Sequence, residues 1–424
     1  MNTPVPPKAP LFDKYQVFVI VILSLIQFTV VLDFMVLSPL GALVMEKLDI
    51  TTAQFGSVVS AYAFSAGISG LLAAGFADKF DRKKLLLFFY VGFVGGTFLC
   101  GIAPDYPFLM MARIVTGIFG GVISSIGFAI ITDLFKMEVR GRVMGLTQMS
   151  FAASQVLGIP IGLLLANHFG WHSPFLMIVG ISIASVVAIA LYMKPITEHL
   201  KIKSDRNPIQ HLAKTITKRE YVKGFFATTL LATGGFMLMP FGSAFSIHNL
   251  GMTQEQLTPM YFVTGLFSVV FGPLIGKYSD KIGAYNVFFA GSSLSILVVA
   301  IYTHMGISPY WMIQTVNVVL FVAVSSRIIT SSTLMSAVPD AQDRGAFMSI
   351  NSSVQQIAGG VAAAVAGMIV VQTESGYLEN YDILGYVVIV ATLITMGMMY
   401  LIHLQVANKK RNQPPVPTAP VTEM

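Results

Sequence analysis

Three ionisable residues, Asp33, Arg113 and Arg327, interrupt long apolar runs of this 424-residue chain. A charge held inside apolar surroundings is costly, so it marks a partner, a cavity or an ion path. Asp33 is the one carboxylate inside such a run, and a carboxylate can alternate between protonated and charged forms. Beside a guanidinium it could couple protons to transport, with proton and substrate competing for one polar centre. The same two residues also admit a structural role, a permanent buried pair that fixes helix packing and adds little net stability.

Such residues must be positioned by a membrane. The chain is 55% hydrophobic and 11% charged, with a mean hydropathy of +0.74, whereas a soluble domain carries about 25% charged residues. Soluble enzymes and nucleic-acid binders are excluded. The net charge of +6 forms no patch, because the basic residues lie between apolar runs. Cys100 is the single cysteine, so there is no disulfide framework and no cysteine-based metal cluster. About 20 apolar residues cross the hydrocarbon as a helix. Twelve runs qualify: 17–45, 54–77, 85–103, 107–132, 143–167, 173–193, 224–247, 257–276, 284–303, 309–338, 345–371 and 383–407. The first is too long for a signal-peptide core and is read as retained.

The expected fold is therefore an all-α membrane protein of twelve transmembrane helices. Of the 26 Lys and Arg residues, all but Lys47, Arg113 and Arg327 fall in the tails and loops on the side of the termini. That excess places both termini in the cytoplasm, N-in and C-in. The polar stretch 194–223 divides the spans six and six. The implied layout is an N-tail 1–16, a six-helix bundle 17–193, a cytoplasmic linker 194–223, a second bundle 224–407 and a C-tail 408–424. The halves repeat: Asp78-Lys79-Phe80 matches Asp280-Lys281-Ile282, and Arg140-Gly141-Arg142-Val143-Met144 matches Arg344-Gly345-Ala346-Phe347-Met348, at nearly equal offsets. Counted from the outer ends at 1.5 Å per residue, Arg113 lies ~9 Å deep and Asp33 ~16 Å deep, within reach of one another.

Six plus six spans with a basic central loop resemble the major facilitator superfamily, and the motifs extend the resemblance over nearly the whole chain. Gly75-Phe76-Ala77-Asp78-Lys79-Phe80-Asp81-Arg82-Lys83-Lys84 is similar to the superfamily's signature after span 2, with Asp81 where glycine is usual. The resemblance implies that Asp78 and Arg82, with Lys79 beside them, help hold the cytoplasmic side closed against the other half. Asp280 and Arg344 are their repeat counterparts. The plainer reading is a generic basic loop. Arg113-Ile114-Val115-Thr116-Gly117 is similar to the family's fourth-span arginine motif. In related drug and sugar exporters an acidic residue in span 1 serves proton coupling, which supports the functional reading of Asp33. In span 5, Gly158-Ile159-Pro160-Ile161-Gly162 looks like the exporters' glycine-proline motif, in a form nearest the arabinose-efflux-like branch. Small residues and a proline kink imply a bendable contact between the halves; an ordinary kink is the alternative.

Candidate substrate ligands are Gln27, Thr29, Arg327, Asn351, Gln355 and Gln356. Asn351, Gln355 and Gln356 share a polar sector of span 11 that faces either a cavity or another helix. Thr29 shares the face of Asp33, and Gln27 lies about 120° away. Arg327, with Ser331 one turn on, has no acid to pair with in the C-terminal spans. It is read first as snorkelling to headgroups, with an anion-attracting site as the sharper alternative.

Gly67-Ile68-Ser69-Gly70 matches an intramembrane protease motif, but no histidine lies at similar depth to serve as base, and no zinc or nucleotide motif occurs. No catalytic residue, metal or cofactor is expected. The resemblance implies a monomeric secondary transporter of the inner membrane, exporting a drug-like or sugar-like small molecule by proton antiport. Its partners are the lipid bilayer, the substrate and protons, with no nucleic acid. The alternatives are a proton-coupled importer or uniporter, and a non-transporting membrane sensor.

Overall fold

The computed structural model describes residues 12–73, 77–201, 208–340 and 343–411. Among them, twelve helices are long and apolar enough to cross a bilayer. They are α1 (Lys14–Val36), α2 (Thr52–Ala73), α3 (Arg82–Gly101), α4 (Tyr106–Leu134), α5 (Arg142–Phe169), α6 (Ser173–Tyr192), α7 (Arg219–His248), α8 (Gln254–Ile282), α9 (Ala284–Thr303), α10 (Tyr310–Ala337), α11 (Arg344–Ile369) and α12 (Tyr381–Lys409). Lys14 and Lys409 reach the same face, called here the terminal face.

Local chemistry sets the helix ends. Asp13 accepts the N–H of Gln16 to open α1, and Asp81 and Asp105 cap α3 and α4 through Lys83 and Phe108. Pro39, lacking an N–H, helps end α1 at Val36; the chain resumes as a short helix, Gly41–Leu48. The apolar run 17–45 is therefore two elements, and Asp33 stands three residues from the end of α1 rather than deep within one long span. α8 exceeds its apolar run 257–276 because the helix continues through polar residues to Ile282. α7 begins inside the polar stretch 194–223, which also holds the helix Pro208–Thr217. On the face away from the termini, Val371–Gln372 pairs antiparallel with Leu378–Glu379, Val371 opposite Glu379.

The packing repeats. Within the first six helices α1 contacts α5 and α6, α2 contacts α4, and α3 contacts α4 and α6; α7 contacts α11 and α12, α8 contacts α10, and α9 contacts α10 and α12 in the same pattern. The two six-helix bundles meet through α2 with α11 and α5 with α8. The α2–α11 seam is built on small residues. A Cβ on Gly56 would lie 2.7 Å from the carbonyl of Ala363, and one on Gly67 would lie 2.6 Å from Ile357. Ser60 donates to the carbonyl of Gly360 at 2.8 Å, and Thr52 to that of Val370 at 2.5 Å.

Away from the termini the bundles are closed. Ser243 donates to the carbonyl of Ser38 (3.0 Å), Gln254 donates to Asn167 (3.3 Å), and Phe55 meets Phe241 with centroids 6.0 Å apart. Toward the terminal face each bundle instead holds a cavity.

Candidate functional site

Asp33 and Arg113 meet where α1, α2, α3 and α4 converge. Arg113 Nη1 donates to Asp33 Oδ2 at 2.8 Å, with side-chain exposures of 1% and 0%. Thr97 of α3 donates to the other carboxylate oxygen at 3.1 Å. The guanidinium carbon lies 4.4 Å from the ring centroid of Tyr62 on α2, a cation–π contact strengthened by the absence of water. Arg113 Nε has no hydrogen-bond partner. Charge is thus balanced at this centre, but its donors are not all used. Thr97 and Tyr62 look like ordinary span residues in the sequence and gain this role only through packing.

On the terminal side of this pair lies a small cavity of about 20 Å³, open to solvent, between α1, α4 and α5. Gln27 lines it and accepts a hydrogen bond from Ser124 at 3.2 Å. Thr29 is fully buried, donates to the carbonyl of Ile26 and contacts the Tyr90 hydroxyl at 3.0 Å. It shares Asp33's helix face, both residues meeting α3 through Tyr90 and Thr97.

A second, larger cavity of about 100 Å³, also open to solvent, lies between α7, α10 and α11. Arg327, Asn351 and Gln355 all line it, with Ser331. Thr228 donates to Asn351 Oδ1 at 2.6 Å. Gln356, one residue on, is not among its lining residues. Arg327 does not snorkel: it is 3% exposed, and Nη1 reaches Ser295 of α9 at 3.3 Å. Its position along α10 is readable from sequence. Its rotation toward α9 is not.

The two cavities occupy equivalent places. α4 and α10 begin 204 positions apart, at Tyr106 and Tyr310, and at that spacing Ile123 corresponds to Arg327, Gly127 to Ser331 and Thr147 to Asn351. Arg113 corresponds to Asn317, whose Oδ1 accepts a neutral hydrogen bond from Thr264 at 3.0 Å.

The candidate gating residues are distributed differently. Ala74, Gly75, Phe76 and the side chain of Asp78 lie outside the described residues. Arg82 pairs with Asp133 of α4 at 3.1 Å, and His199 reaches the same carboxylate at 3.3 Å. Arg82 is thus held within its own bundle. Asp81 does more than replace a glycine: it caps α3 and accepts the N–H of Ile196 at 3.0 Å, tying down the start of the linker. Lys79, Asp280 and Arg344 are exposed. In the second bundle Lys218 pairs with Asp340 and Asp343, at 2.8 and 3.2 Å, and Lys409 with Asp340 at 2.7 Å. Sequence reasoning misses Lys218, Asp340 and Asp343, because loop charges give no sign of their partners.

The segment around Pro160 contains one wide helical turn, Ser154–Gly158, closed by the Ile159 N–H on the Ser154 carbonyl. Gly158 and Gly162 face Leu32 and Val36 of α1, so the motif's glycines serve packing inside one bundle. Contact with the other bundle comes from Gln155 and Val156, which lie against Gly265 of α8.

The family profile of the Major Facilitator Superfamily matches residues 23–363 and 224–422. An uncharacterized MFS-type transporter of Bacillus subtilis, YceJ, is 27% identical over 354 residues, covering 82% of this chain and 88% of its own length. A probable sugar efflux transporter of Helicobacter acinonychis is 24% identical over 238 residues, 56% of this chain and 59% of that protein. The inward-facing, unoccupied structure of a bacterial homolog of the human lysosomal transporter Spinster shares the fold, with TM-score 0.70 and 15% identity over 96% of this chain and 100% of that one. With paired bundles, repeated contacts and a match across most of its length, the chain belongs to the major facilitator superfamily and is a membrane transporter, not an enzyme.

Proposed function

We propose that this transporter exports a small molecule, drug-like or sugar-like, in exchange for protons. It works as a monomer in the inner membrane, with the terminal face toward the cytoplasm. The observation that carries this reading is the Asp33–Arg113 pair, a 2.8 Å contact with no exposed carboxylate surface. The distribution of Lys and Arg supports the orientation, and the efflux relatives support the direction.

Chemically, the ionised carboxylate is held by Arg113 Nη1 and the Thr97 hydroxyl. A proton taken up on a carboxylate oxygen removes the charge that holds the guanidinium, so the ion pair joining α1 to α4 is lost. Binding and protonation then favour different packings of the two bundles, which is what exchange requires. Movement follows the α2–α11 seam, where glycines let backbones slide closely. Gln27, Asn351 and Gln355 are the neutral substrate ligands of this scheme. Asp78, Lys79, Arg82, Asp280 and Arg344 act on the cytoplasmic mouth, and Gly158, Pro160 and Gly162 on the α1–α5 contact.

The test is a pH change across proteoliposomes holding wild type or Asp33→Asn, on adding a sugar, an organic cation or an organic anion. Substrate-driven proton movement is expected in wild type and absent in the variant. Proton movement that survives in Asp33→Asn removes Asp33 from the coupling step, and flux without proton movement in wild type makes the chain a uniporter.

A further inference from the structure

We infer that the cavity between α7, α10 and α11 binds an amphipathic organic anion, its carboxylate or phosphate held by Arg327. This names a substrate class for the transport reading and rests on that reading for carriage, but not for binding.

The first ground is the state of the side chain. Arg327 is 3% exposed, lines the cavity, and has no hydrogen-bond partner at Nε or Nη2. Nη1 is satisfied by the neutral Ser295 hydroxyl, and no carboxylate pairs with the guanidinium among the described residues. A guanidinium offers its donors as a planar fork that matches carboxylate and phosphate oxygens. A buried cation without a counter-charge is strongly unfavourable. An anion arriving from outside would supply what the protein withholds.

The second ground is the internal repeat. At the equivalent place in the first bundle the residue is Ile123, so the fold does not need an arginine there. The asymmetry runs the other way at the coupling pair, where Arg113 is answered by Asn317. Each bundle thus holds one arginine well inside its spans, Arg113 and Arg327, whereas the buried Arg82 stands at the start of α3 and pairs with Asp133. The first supplies its carboxylate, Asp33; the second supplies none among the described residues.

The third ground is the shape of the lining. Ser331, Asn351 and Gln355 add neutral polar groups to the lining beside Arg327, and Phe236, Met335 and Met348 add apolar surface. The arrangement fits one charged group with an apolar body.

The same chemistry is present in a free solute and in an anionic lipid headgroup, and the test separates them. Full-length protein in a neutral maltoside detergent is unfolded thermally with benzoate, phenyl phosphate, benzyl alcohol or benzylamine, which share one ring. Mixed micelles with phosphatidylglycerol or phosphatidylcholine form a second arm. Benzoate and phenyl phosphate are expected to raise Tm saturably, and the alcohol and amine to leave it unchanged. Arg327→Gln should weaken the anion effect at least tenfold. Equal shifts from benzyl alcohol, no shift from either anion, or full shifts in a folded Arg327→Gln overturn the proposal. A shift from phosphatidylglycerol and from neither soluble anion assigns the site to a lipid and overturns the solute. If Arg327→Gln does not fold, the wild-type ranking of the four probes decides alone. Wild type that shows the anion shift but no substrate-driven proton movement in proteoliposomes counts against the transport reading only.

Discussion

Phe34, the residue after Asp33, packs against Phe236 of the other bundle with ring centroids 5.6 Å apart. Phe34 also meets Tyr62 at 5.3 Å, and the Tyr62 ring lies against the Arg113 guanidinium. Phe236 lines the cavity of Arg327 and covers Gly359. One aromatic chain therefore runs from the Arg113 guanidinium across the seam to the cavity that Arg327 lines. An aromatic pair contributes about 0.5–1.5 kcal/mol beyond its area, and 1.4 kcal/mol is about tenfold in an equilibrium constant. Phe34→Ala should reduce the pH dependence of anion affinity by up to about tenfold while leaving affinity at high pH near wild type. Titration calorimetry of wild type and variant across pH measures this linkage.

The buried pair should respond asymmetrically to loss of either partner. Asp33→Asn strands a guanidinium that stays protonated at any working pH, so it bears the full penalty of an unpaired buried charge, about 3–5 kcal/mol. Arg113→Gln strands a carboxyl that can neutralise itself by taking a proton, so it should cost less. Removing both charges should cost less than the sum of the single changes. Thermal unfolding of the three variants and wild type in one detergent tests the ordering; an additive double variant would show that the two charges do not interact.

The Asp33–Arg113 pair is legible in the amino-acid sequence. Charges inside twelve apolar runs have few partners, so counting residues along antiparallel helices is enough to bring these two within reach. The count misjudges depth because Pro39 helps break the first run, a local effect that hydropathy does not register. Thr97 and Tyr62 carry no signal of their own, and neither does the contact of Arg82 with Asp133, 51 positions apart. Their roles depend on how helices rotate against one another, which sequence spacing on a single helix leaves open. Arg327 illustrates the same gap: a rotation toward Ser295 turns a headgroup anchor into a buried cation.

The charges at the terminal face of the second bundle should give a defined acid response. Lys218 and Lys409 beside Asp340 hold its carboxyl down at about 2, below its ordinary 3.8. A carboxyl with a depressed folded value binds its proton less readily folded than unfolded, so it stabilises above its ordinary value and loses that effect as pH falls through about 2. Asp340→Asn should therefore lower Tm near neutral pH, with the gap to wild type closing between about pH 4 and pH 2. Lys218 is shifted upward by the same hydrogen bonds, so its share persists through neutral pH and is lost only in strong alkali. Tm against pH for both proteins checks the window; a gap unchanged down to pH 2 would separate Asp340 from the stability of this face.

Arg327 should behave as a residue kept at the expense of stability. Its Nε and Nη2 are buried without partners, and replacing a buried charge that no counter-charge offsets with an apolar group of similar reach removes a desolvation penalty. The first bundle accommodates isoleucine at the equivalent position. Arg327→Met should therefore unfold at the same or a higher temperature than wild type without ligand, and at a lower one in saturating benzoate, because only wild type gains from the anion. The crossing of the two curves with benzoate concentration separates binding from packing. A variant that is less stable at every concentration would mean that Arg327 holds α9 to α10 through Ser295 and that its charge is structural.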